Sequence, residues 1–107
     1  MPTYNKLVRD KIPQKIEATG KKYTTKILNN HDYIKYLKQK SYEELDEYCT
    51  APSNEEAIEE LADLLEIIHA LASYQESSIE EVEKVRQEKA EKRGGFQKRI
   101  FLVEVED

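Results

Sequence analysis

Tryptophan is absent, cysteine occurs once, and glycine and proline occur three times each in 107 residues. The lone Cys49 leaves no internal disulfide and no CxxC metal knuckle. So little Gly and Pro excludes collagen-like and low-complexity classes. Long apolar runs are missing too. The longest nearly apolar stretch, Leu61 to Ala72, is broken by Asp63, Glu66 and His69 and falls far short of the ~20 residues a membrane span needs. Met1-Pro-Thr-Tyr has no apolar segment behind it, so no signal peptide is expected. Neither a Walker loop nor GxGxxG occurs, and no Ser/His/Asp arrangement supports nucleophilic chemistry. With 38% apolar and 36% charged residues, the chain reads as one cytoplasmic domain over residues 1–107. A monomer of this size hides only ~60–70% of its unfolded surface, so completion by oligomerisation is expected.

Charge of one sign is absent from the middle of the chain. Residues 41–83 carry 14 acids and no Lys or Arg, whereas residues 1–40 carry 10 bases against 3 acids and residues 84–107 carry 7 against 5. Helical spacing inside the acidic segment brings like charges together, which costs a few tenths of a kcal/mol per pair. Two readings follow: a solvated acidic surface drawn to the basic ends, or a carboxylate cluster that holds divalent cations beside bases that meet an anion. The overall acidic charge of -5 argues against a nucleic-acid polymer as partner.

Helical punctuation is clear. Pro13 suits the first turn of a short helix that stops at Gly20. A second helix opens at Asn30 or His31 and runs to about Cys49. Pro52 breaks it, and Ser53 with Glu56 three residues on forms a capping box for a third helix to about Tyr74. A fourth starts at Ser77 or Ser78 and ends at Gly94-Gly95. Tyr23–Leu28 (YTTKIL) and Ile100–Val105 (IFLVEV) are β-branched and aromatic, so each is expected as a strand, paired into a small two-strand element. The fold class is therefore mostly α, an antiparallel bundle of three main helices plus a short N-terminal one, with that β element.

Acid pairs three apart arise by chance in so acidic a chain, so the face each acid occupies is the better test. At about 100° per residue, Tyr33, Ile34, Leu37, Leu45 and Tyr48 define the apolar stripe of the Asn30–Cys49 helix. Glu44 falls inside that stripe and Glu47 on its margin, while Glu43 and Asp46 point away. On the Ser53–Tyr74 helix, Ile58, Leu61, Leu64, Leu65, Ile67, Ile68, Leu71 and Ala72 form the apolar arc. Glu60 lies on the line of Leu64, Ile67 and Leu71, and Asp63 flanks it. Inward carboxylates must protonate, find bases or coordinate a metal. On the last helix Arg86, Lys89 and Arg93 continue the stripe that Ile79 and Val82 begin. They could neutralise the acids internally or reach phosphate oxygens while Mg²⁺ or Mn²⁺ occupies the carboxylates. Zinc is not expected, because Cys49, His31 and His69 form no ligand set. Cys49 reads as a semi-buried small residue and His69 as incidental.

EELDE at 43–47 followed by ELAD at 60–63 resembles the EExxE…ExxD pattern of the MazG-like, all-α nucleoside triphosphate pyrophosphohydrolases. YNKLVRDKIP near the start and KAEKRGGFQKRIFLV near the end resemble a small branch of that superfamily, the phosphoribosyl-ATP pyrophosphohydrolase-like, house-cleaning enzymes. The resemblance implies that Glu44, Glu47, Glu60 and Asp63 bind Mg²⁺, with Mn²⁺ as an alternative, and that Glu44 and Glu47 are catalytic, Glu47 also orienting the attacking water. It implies Lys89 and Arg93, with Arg86, near the phosphates, although the family's Asp or Asn before the downstream Lys is replaced here by Gln87 and Glu88. Lys6, Arg9 and Lys11 belong to the branch signature, with a phosphate or subunit-contact role. The implied reaction cleaves the α–β phosphate bond of a nucleotide, giving a nucleoside monophosphate and pyrophosphate, in a homodimer or homotetramer. Removal of non-canonical nucleotides, hydrolysis of phosphoribosyl-ATP in histidine synthesis, and a non-catalytic helical oligomerisation module are all compatible with the sequence.

Overall fold

A helix hairpin organises the chain. The computed structural model describes residues 2–107 and contains α1 (Ile12–Ala18), α2 (Asn30–Cys49), α3 (Asn54–Tyr74) and α4 (Ile79–Arg93). The boundaries follow from local chemistry. Asn29 caps α2 by accepting from the Asp32 backbone N–H at 2.8 Å, so the capping residue sits one place before the expected opening. Ser53 accepts from the Glu56 N–H and Ser78 from the Glu81 N–H, each at 3.2 Å. Both are followed by acids in the first turn, where the helix dipole favours them. Gly94 ends α4 at φ +81°, a conformation that L side chains rarely adopt.

The short Thr50–Ser53 connection turns α3 back along α2, and these two helices make the main contact of the fold. Tyr33 near the start of α2 meets Tyr74 at the end of α3, with ring centroids 6.2 Å apart. Leu37, Ile67 and Ala72 are buried in the seam between them. α4 returns along α3 over a much smaller contact and has no buried residue. The Cα radius of gyration is 18.4 Å, against about 13 Å for a compact chain of roughly this length.

Three expectations are corrected. Among the described residues there is no strand: the protein is all-helical, and the two-strand element is not formed. Strand propensity reports fit to a half-buried pleated surface, and an isolated two-stranded ribbon is marginal in water. Neither segment has such a surface here; Ile27 and all of Ile100–Val105 are exposed. Leu45, Tyr48, Ile58, Leu61 and Leu65, assigned to the apolar stripes, are also exposed. A single neighbouring helix covers only part of a broad apolar arc, and α4 packs too sparsely to cover the rest. Cys49 is exposed rather than semi-buried, because it lies on the last turn of α2.

This distribution makes the hairpin seam the seat of stability. Leu37→Ala should destabilise the protein by about 2–4 kcal/mol in urea titrations followed by circular dichroism. Ile27→Ala, at an exposed position, should stay within about 0.5 kcal/mol.

Candidate metal centre

The acids expected to face inward meet across the hairpin. One oxygen from each of Glu44, Glu47 and Glu60 lies within 4.8 Å of the others. Helical periodicity is the reason. Glu44 and Glu47 are three apart and share the side of α2 that faces α3, while Glu60 projects back from the first half of α3. Glu44 is buried with only 9% of its surface exposed, Glu60 is half-buried and Glu47 is exposed. Oε2 of Glu44 and Oε2 of Glu60 are both buried without a hydrogen-bond partner.

Three carboxylates so close cannot all stay ionised without a counter-charge. Glu60 is pushed up to about 7, first by the neighbouring Glu47 carboxylate, which it can meet only as a proton donor, then by desolvation and by Glu44. Burial raises Glu44 as well, with the negative charges of Glu47 and Asp63 adding to it and the Glu60 contact acting in the opposite direction.

Asp63 stands one turn beyond Glu60, half-buried and outside the three-oxygen cluster. Its Oδ1 accepts a hydrogen bond from Nη2 of Arg9 at 2.7 Å. This contact spans 54 residues, and no spacing rule points to it; the basic N-terminal segment opposite an acidic middle was the one available signal. Residues 4–7 lie against Tyr36, Gln39, Lys40 and Glu43 of α2 around a hollow of about 170 Å³. The N-terminal segment thereby crosses α2 and delivers Arg9 to α3.

The α4 cations are placed differently. α4 meets α3 beside Leu65 and His69, on the side of α3 turned away from Glu60, and His69 lines that shallow cleft. Arg86 is bound to Glu83 of its own helix, Nη2 to Oε1 at 2.6 Å. All three cations are exposed, and among the described residues neither Lys89, Arg93 nor Arg86 bonds any of the four acids. Internal neutralisation of the acids by α4 is therefore not how the cluster is balanced.

An all-oxygen donor set with two orphaned, buried carboxylate oxygens fits a hard divalent cation. Residues 4–93 match the phosphoribosyl-ATP pyrophosphohydrolase family. The chain belongs to that family. It is thus a pyrophosphohydrolase of the MazG-like, all-α superfamily, whose members typically use a divalent metal. No curated protein and no solved structure matches the chain. The family span covers Arg9, the four acids and the three α4 cations, and it stops where α4 stops. No helix of the described residues is long and apolar enough to cross a membrane.

The raised Glu60 gives the metal-free protein a defined pH response. Its folded-state value lies above the ordinary 4.5, so between pH 4.5 and about 7 the folded state binds more protons than the unfolded state. Stability contributed by protonated Glu60 is full below the lower value and is lost as pH rises through the upper one. Melting temperatures measured in chelator should fall across this window, and Glu60→Gln should flatten the slope. In the wild-type protein, saturating Mg²⁺ should flatten it too, with proton release on binding.

Proposed function

We propose that the protein is a Mg²⁺-dependent nucleotide pyrophosphohydrolase that cleaves the α–β phosphate bond of a nucleoside triphosphate, releasing the monophosphate and pyrophosphate. The observation that carries this reading is the three-carboxylate cluster with orphaned oxygens on Glu44 and Glu60, within a chain of a pyrophosphohydrolase family.

Charge balance explains the design. A triphosphate brings about four negative charges to a site that is itself acidic, so a cation must be loaded for the substrate to approach. Glu44, Glu47 and Glu60 would hold it, with Asp63 as a fourth ligand, and Mn²⁺ would fit the same donors. When bound, such a cation lowers the pKa of a coordinated water and offsets charge developing on phosphate oxygens. Glu47, the most exposed of the three clustered acids, is the residue open to solvent and suited to orient the attacking water and accept its proton. Buried Glu44 fixes the floor of the site and holds its charge away from solvent.

Lys89 and Arg93, with Arg86, are proposed to meet the leaving pyrophosphate. Because α4 packs on the far side of α3, they would reach a site most directly in an assembly of several copies. Homo-oligomerisation is supported by the exposed apolar residues Leu45, Tyr48, Ile58, Leu61, Leu65, Val82 and Val85. Removal of non-canonical nucleotides is the role we favour. The family description itself supports phosphoribosyl-ATP as the competing substrate, with the same bond cleaved. A non-catalytic oligomerisation module would leave the orphaned carboxylates without a purpose.

Three measurements test this. Pyrophosphate release, scored over a panel of canonical and modified nucleoside triphosphates and phosphoribosyl-ATP, should require Mg²⁺ and stop with chelator. Glu60→Gln should lose more than the ~10–100-fold that removal of an outer-shell partner costs a metal site, with helicity intact; full turnover would sink the assignment. Light scattering after size-exclusion chromatography should give a dimer or tetramer at micromolar concentration, and a monomer there would remove the assembly from the proposal.

A further inference from the structure

Arg9 is the one cation that reaches the site's acids within the described chain, and it does so from outside the hairpin. Its guanidinium is 57% exposed and Asp63 is 41% exposed, so the pair is accessible to solvent and weak enough to exchange. The backbone around it is anchored: Leu7 and Val8 are half-buried, and the Arg9 carbonyl accepts from the Ile12 N–H at 3.1 Å where α1 begins. The side chain can therefore change partner while its base stays beside the cluster.

Two positive groups cannot share Asp63 equally. A divalent cation held by Glu44, Glu47 and Glu60, with Asp63 as fourth ligand, would compete with Arg9 for the Asp63 carboxylate and repel the guanidinium. A guanidinium released at the rim of a newly cationic site has the planar, five-donor geometry that grips phosphate oxygens.

We propose that Arg9 is a phosphate-binding residue held in reserve: it neutralises Asp63 while the centre lacks its cation, and on cation loading it is handed over to the phosphates of the nucleotide. This rests on the metal-dependent pyrophosphohydrolase reading and extends it to the order of events. Cation and nucleotide bind cooperatively because the first frees a ligand for the second.

Calorimetry tests it without turnover, using Mg²⁺ alone and then α,β-methylene-ATP at saturating Mg²⁺. Arg9→Gln removes the competitor, so it should bind Mg²⁺ about 2–5-fold more tightly than wild type. It should also bind the nucleotide at least ~10-fold more weakly, as expected for loss of a charge-assisted contact. Arg9→Lys should stay near wild type for Mg²⁺ and fall between for nucleotide. Mg²⁺ binding by wild type with an unchanged or weaker constant in Arg9→Gln overturns the proposal, as does unchanged nucleotide affinity; Arg9 is then a clip for the N-terminal segment. Absence of Mg²⁺ binding by wild type overturns the metal-dependent reading itself. If circular dichroism shows Arg9→Gln unfolded, Asp63→Asn carries the test. It frees Arg9 in advance, so the gain in α,β-methylene-ATP affinity between sub-saturating and saturating Mg²⁺ should be smaller than in wild type, and an undiminished gain overturns the proposal.

Discussion

Negative charge confined between α2 and α3 is the constraint to which the rest of the molecule answers. Glu44, Glu47 and Glu60 crowd within 4.8 Å, and part of that crowd is buried. In water such groups would drift apart. Here they are held by the turn at Thr50–Ser53 at one end of the hairpin, by the Tyr33–Tyr74 contact at the other, and by Leu37, Ile67 and Ala72 along the seam. The apolar seam stabilises the geometry that the carboxylates oppose. Protonation of Glu60 is the relief open to the metal-free protein, which is why its value rises to about 7. Strain of this kind belongs to a binding site more naturally than to a scaffold.

The remainder of the chain is arranged around that hairpin loosely. α4 covers little of α3, and the segments on either side of the helical core carry exposed apolar side chains, from Ile27 to Phe101 and Val103. A radius of gyration well above that of a compact chain says the same thing in one length. The N-terminal segment is the exception, since it lies across α2 and brings one guanidinium to Asp63. A small domain has too little interior to enclose both a core and a site, so its site sits at the edge of a thin seam, where a substrate of high charge can reach it.

Helix starts and the facing of two acids are legible in the sequence. Ser53 and Ser78 cap the helices that the sequence pattern assigns them, and the inward position of Glu44 and Glu60 follows from their place in the apolar stripes. The β element is not legible there, because alternating apolar and β-branched residues in Ile100–Val105 look the same whether or not a partner strand exists. Leu45, Leu61 and Leu65 lie on apolar faces but are exposed, because a face is buried only where another element covers it.

Helix position, capping and facing depend on residues three or four apart, so the order of amino acids settles them locally: Glu44 beside Glu47, Ser53 before Glu56, Gly94 after α4. Which side of α3 receives α4, and which cation meets Asp63, depend on the path of the chain over tens of residues. The pattern that puts Arg86, Lys89 and Arg93 on one helix face is equally compatible with a position over the acids or behind them. Arg9 reaches Asp63 because the packed N-terminal segment has one direction across α2, and long-range electrostatics selects among the partners that packing allows.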